Sequence, residues 1–103
     1  MAQLEDIRIE HDRELDLLTA YLNEDSENQL DVLEGPFDGH VLFYVDSVTK
    51  KLARIEIYDF SIIQRMLLRR FIFLLTKETI KSWLATLIDS FRANPNHQER
   101  FAH

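Results

Sequence analysis

Cysteine is absent from this 103-residue chain, which excludes disulfides, thiolate nucleophiles and cysteine-ligated zinc or iron–sulfur sites together and suits a reducing compartment. Glycine is nearly absent too. With only Gly35 and Gly39, no glycine-rich loop is available to cradle a phosphate. Long apolar runs are missing: the longest, Phe71 to Leu75, falls far short of the roughly 20 residues that span a bilayer, and the opening MAQLEDIRIEHD lacks the basic-then-apolar layout of a secretion signal. A cytoplasmic protein with no membrane contact is expected. Cationic side chains are in the minority, 12 against 18 acidic ones for a net charge of −6. That balance disfavours a general polyanion binder, because lysine and arginine supply most of the affinity for phosphate backbones.

The charge that is present is unevenly spread. Residues 1–39 hold two arginines, Arg8 and Arg13, against twelve carboxylates, whereas residues 40–103 hold ten basic side chains against six acidic ones. Complementary halves of this kind favour register between parts of a fold or between subunits. The length fits one domain, taken as residues 1–94, with residues 95–103 as a tail that frays.

Alternation marks the strands. Ile7 and Ile9 alternate with Arg8 and Glu10 across Leu4 to Glu10. Residues 14–22, ELDLLTAYL, fit either a helical stripe (Leu15, Leu18, Leu22) or one strand face (Leu15, Leu17, Thr19, Tyr21), and pattern alone leans to helix. Residues 23–38 form an acidic connection, with at most a short strand around Leu30 to Leu33, ending in the turn signals Gly35-Pro36 and Asp38-Gly39. His40 to Asp46 is the clearest strand, with Val41, Phe43 and Val45 on one face and Leu42 and Tyr44 on the other, so that a helix or a partner is expected over the second face. After a polar turn, Leu52 to Asp59 places Ala53, Ile55 and Ile57 inward against Arg54, Glu56 and Tyr58.

Two helices follow. Ser61 and Gln64 have capping-box spacing, and a helix from Ile62 to about Leu75 is expected, with Ile63, Met66, Leu67, Phe71 and Leu74 inward. Its second half is apolar almost all round. Thr76 is placed to cap a helix over Lys77 to Arg92, where Ile80, Trp83, Leu84, Leu87, Ile88 and Phe91 share one face, and Asn94-Pro95 ends it. The expected architecture is α+β: a small antiparallel sheet, or meander, over residues 4–60, followed by two C-terminal helices packed on it.

The stretches IRIEHDRELDLLTAYL, Ile7 to Leu22, and GHVLFYVDSVTKKLARIEIYDFS, Gly39 to Ser61, resemble the pattern of the small prokaryotic proteins grouped as domain of unknown function 2283, over roughly half the chain. This sequence departs from that pattern in having Lys50-Lys51 where the hairpin turn carries glycine, in its longer acidic loop, and in the helices after Ser61. The resemblance implies a compact antiparallel sheet and reads residues 14–22 as a strand. It brings no catalytic residues, and it implies pairing with a neighbouring toxin-like protein, in the manner of an antitoxin, as one role.

Candidate chemistry is thin. His11-Asp12 has the look of a metal-hydrolase pair, but His40, His97 and His103 do not complete a ligand set, so solvated or strand-end histidines and no metal are expected. Asp46, Glu56 and Asp59 would serve acid–base chemistry only if they met across the hairpin; turn formation and capping account for two of them. Ser26, Ser47, Ser61, Ser82 and Ser90 lie in no nucleophile-elbow context. No enzyme activity and no cofactor are expected. Lys50, Lys51, Arg54, Arg65, Arg69 and Arg70 would give nucleic acid a foothold if they shared one surface. The stronger expectation is self-association, as a homodimer or homo-oligomer, or binding of another protein. The apolar excess at Phe71, Phe73 and Leu75 exceeds what one short sheet covers.

Overall fold

Side-chain alternation becomes strand pairing throughout the first half of the computed structural model, which describes residues 7–22 and 28–93. β1 (Arg8–Asp12) and β2 (Leu17–Tyr21) form an antiparallel hairpin. Asp12 closes its turn, its Oδ1 accepting the N–H groups of Glu14 and Leu15 at 3.0 and 3.1 Å. Asp16 occupies the left-handed region, φ 52°, which a short polar side chain tolerates. Residues 14–22 therefore do not form the helix that their stripe suggests: Leu18 and Ala20 are buried against β5, and sheet pairing on both sides of β2 outweighs local helical preference.

β3 (Leu30–Glu34), β4 (Val41–Asp46) and β5 (Leu52–Tyr58) complete a five-stranded antiparallel sheet in the order β1-β2-β5-β4-β3. The β2–β3 connection carries the chain to the far edge, which departs from a plain meander and leaves β5 central. The β4–β5 turn is organised by Asp46, a buried carboxylate whose Oδ1 accepts the N–H groups of Val48 and Thr49 at 2.8 and 2.9 Å while Asn28 Nδ2 donates to both oxygens. A bulge between Tyr44 and Val45 puts Leu52 on the inner face beside Ala53 and Ile55.

α1 (Phe60–Leu68) and α2 (Lys77–Ala93) cover the inner face. Phe60, Ile63 and Leu67 of α1 and Leu84, Ile88 and Phe91 of α2 join the strand residues in one core, and the Phe43 and Phe91 rings lie 5.0 Å apart. Thr76 caps α2 reciprocally with Thr79: each N–H donates to the other's hydroxyl, at 3.2 and 3.0 Å. The Ser61–Gln64 capping box does not form. Asp16 reaches across from the β1–β2 turn instead, its carboxylate accepting the Ser61 N–H at 3.1 Å and the Ser61 hydroxyl, while Asp59, in the left-handed region, precedes the helix without a side-chain cap.

α1 is also shorter than expected. It stops at Leu68 rather than near Leu75: Phe71 turns left-handed (φ 61°), and the Ile72 and Phe71 N–H groups donate back to the carbonyls of Leu67 and Leu68 at 2.9 and 3.0 Å. That is the Schellman pattern with phenylalanine where glycine is usual. Residues 72–75 then run as a non-helical strap held by Gln64, whose Nε2 donates to the Leu74 carbonyl at 2.8 Å.

Among the described residues no helix lies over the outer face of the sheet, and its own side chains cover much of it. Arg8 lies over the Tyr21 ring at 4.4 Å and Arg54 over Tyr44 at 4.2 Å. Arg54 Nε is 3.3 Å from Glu56 Oε2, close enough for charge pairing but without an aligned hydrogen bond. The Tyr58 hydroxyl donates to Glu56 at 2.6 Å. Leu42 and Tyr44, on this face, are half-buried. The opening residues 4–6, the acidic stretch 23–27, the Asn94-Pro95 stop and the tail with His97 and His103 lie outside the described residues. Among the described residues, no helix is long and apolar enough to cross a membrane.

Candidate protein-docking surface

The reversal at Phe71 brings apolar side chains to the surface in one place. Phe71 is 83% exposed, Leu75 75% and Phe73 49%, with Leu68 and Ile72 partly exposed beside them, while Leu74 at 2% plugs into the core. The three residues singled out in the sequence thus stand on one short strap rather than around a helix. Five large apolar residues, Leu68, Phe71, Ile72, Phe73 and Leu75, are at least 40% exposed within eight positions, roughly a few hundred Å² of surface. That is at the upper end of what monomers expose and approaches the ~800 Å² that each partner brings to a standard interface.

Grooves flank the strap. One, of about 260 Å³, lies between α1 and the strap and is lined by Gln64, Arg65, Leu68, Ile72 and Phe73. A second, of about 540 Å³, continues from it past Gln64, Leu74 and Leu75 to His11, Arg13 and Lys77. On the other side of the strap a groove of about 440 Å³ runs along α2, with Trp83 in its wall and Glu78, Thr79, Ser82 and Thr86 on its flank. Gln64 is central to the arrangement. Its hydrogen bond to Leu74 anchors the strap, a role its capping-box spacing hides.

The six basic residues do not share a surface. Lys50 and Lys51 sit in the β4–β5 turn, and Arg54 lies on the outer face of the sheet, stacked on Tyr44. Arg65, Arg69 and Arg70 lie in and after α1, on the opposite side of the sheet. Alternation along β5 sends Arg54 away from the helices by construction. The carboxylates are equally dispersed. Asp46 and Asp59 mark opposite ends of β5, the first spent on its turn and the second 3.1 Å from His40 Nδ1. Glu56 engages Tyr58 and Arg54 on the outer face. There the hydrogen bond from Tyr58 to Glu56, followed by burial, pushes the Tyr58 pKa well above that of a free phenol; Tyr44 is raised too, chiefly by burial and then by Glu56. His11 packs edge-on against Phe60 at 5.4 Å. Among the described residues, no group of three or more His, Asp or Glu side chains is placed to hold a metal ion.

Comparison with known proteins finds no family model, no curated protein and no solved structure that matches this chain.

Proposed function

We propose that the protein is a non-enzymatic interaction module that presents the strap of residues 71–75 to another polypeptide. The observation that carries this reading is the contrast within the strap: Leu74 is fully committed to the core while Phe71, Phe73 and Leu75 on the same five residues face outward. Exposing three large apolar side chains next to continuous grooves is costly in water, and a bound chain removes that cost. The outer face of the sheet is a weaker candidate, because arginine–tyrosine and tyrosine–glutamate pairs occupy much of it and Val32 is its exposed aliphatic side chain among the described residues.

A photoreactive phenylalanine analogue placed at position 73 and expressed in the native host tests this. A discrete protein adduct is expected from position 73, abolished by Leu75→Glu and absent when the analogue is moved to Lys51 in the β4–β5 turn. Equal labelling from both positions, or adducts indifferent to Leu75→Glu, would count against the strap as the docking element.

A further inference from the structure

From the charges around the two grooves between α1 and the strap, we infer that their occupant is an acidic amphipathic helix of a different protein, not a second copy of this chain. The inference rests on the docking role proposed above and adds the chemistry of the partner. The two grooves adjoin at Gln64, Leu74 and Leu75, which line both, and make a trough interrupted by the hydrogen bond from Gln64 to the Leu74 carbonyl. Among the described residues, Arg65 is the ionisable side chain lining the first groove and His11, Arg13 and Lys77 line the second, with no carboxylate in either; Glu78 lines the groove on the α2 side of the strap. Asp16, at the margin, is already engaged by the N–H and hydroxyl of Ser61.

The chain on the helical side has the same sign, whereas the β1–β2 hairpin beside it sets His11 and Arg13 among Glu10, Asp12, Glu14 and Asp16. From Phe60 to Ser82 the chain carries Arg65, Arg69, Arg70, Lys77 and Lys81 against the single carboxylate Glu78. A two-fold dimer through the strap would set this cationic surface against its own image, since an isologous contact places each patch on its copy. At physiological salt such charges still feel each other within ~8 Å. Charge complementarity instead favours an anionic partner, and an apolar trough flanked by a helix is the geometry in which an amphipathic helix lays down its i, i+3, i+4, i+7 side chains. Leucine-like groups would fill the trough over Leu68, Ile72 and Leu75, and carboxylates at the helix margins would meet Arg65, Arg13 and Lys77.

Fluorescence anisotropy on the full chain tests this with three labelled 16-residue peptides. One is an amphipathic helix of leucine and glutamate, one has lysine for each glutamate, and one has serine for each leucine. The leucine–glutamate peptide should bind at least tenfold more tightly than either control. Its affinity should fall at least tenfold with Arg65→Glu or Lys77→Glu, in variants whose melting temperature is unchanged, and should stay the same with Lys51→Glu. Equal binding of the leucine–lysine peptide would overturn the charge assignment while leaving a docking surface in place. So would a wild-type oligomer, seen by sedimentation, that Phe73→Glu dissolves, since the occupant would then be a second copy. Preferential binding of a 12-nucleotide oligothymidine that Arg65→Glu abolishes would overturn it in favour of nucleic acid. If no peptide binds and Phe73→Glu alters neither mass nor precipitation, the docking reading itself fails with it.

Discussion

Asp16 joins the first hairpin to the first helix, and its contribution can be isolated. Its carboxylate accepts the Ser61 N–H and hydroxyl, and its carbonyl accepts the Phe60 N–H at 3.1 Å. Asp16→Ala removes only the side-chain part and should cost about 1–2 kcal/mol in urea unfolding, the scale of a lost helix cap. Asp16→Asn, which keeps an acceptor and tolerates the left-handed backbone, should recover part of that loss. Trp83 is 9% exposed and lies 6.3 Å from the Phe37 ring, so Trp83→Ala should cost about 3–5 kcal/mol. A loss below about 1 kcal/mol would mean that the indole is not part of the core. Tyr58 gives a pH test. Its folded pKa lies above that of a free phenol because its hydroxyl is bonded to Glu56, whereas the unfolded side chain titrates near ~10. The folded state therefore holds its proton more tightly. The associated stability is complete below ~pH 10 and is lost as pH rises from there through the folded value. Urea midpoints for Tyr58→Phe should fall less steeply than wild type above ~pH 10; parallel curves would show that the phenol does not contribute.

At the scale of elements, what was legible depended on whether the determining interactions were local. β4 and β5 read directly, because strict alternation of Val41, Phe43 and Val45, and of Ile55 and Ile57, leaves one way to face the core. α2 read directly as well, since Thr76 and a six-residue apolar stripe act within the helix. β2 did not. Its periodicity fits a helix or a strand, and pairing with β1 on one side and β5 on the other decides for the strand. The end of α1 was invisible for a different reason: the left-handed residue that stops it is Phe71, where a glycine would have announced the turn. The three outward residues of the proposed docking surface were therefore identified from excess hydrophobicity, while their common strap, the Gln64 anchor and the grooves were not. A phenylalanine in that conformation carries a backbone cost of order 1–3 kcal/mol. Phe71→Gly relieves it, against the larger unfolded-state entropy of glycine. Thermal melting of Phe71→Gly should match or exceed wild type although a large side chain has been deleted. A clear drop in melting temperature would mean that Phe71 packs rather than presents.

The whole molecule is two-sided in a way that neither a strand nor a helix is by itself. On the outer side of the sheet, guanidinium groups and phenols cover much of the apolar surface and leave Val32 exposed; on the helical side the core is closed by α1 and α2, and the strap between them concentrates exposed apolar side chains. Position along that strap should then decide whether a substitution acts on folding or on association. Phe73→Ser combined with Leu75→Ser removes largely exposed surface, Leu75 being 75% and Phe73 49% exposed, so urea unfolding should stay within about 1 kcal/mol of wild type. The concentration at which the purified chain begins to precipitate should rise, because the isolated wild-type protein carries an uncovered apolar face. Leu74→Ala, between those two positions, deletes a side chain that is 2% exposed and should cost about 2–5 kcal/mol with no gain in that concentration. If the double serine variant instead destabilises the fold as much as Leu74→Ala does, Phe73 and Leu75 belong to the core in solution. The strap would then close over the grooves and leave no surface for a partner.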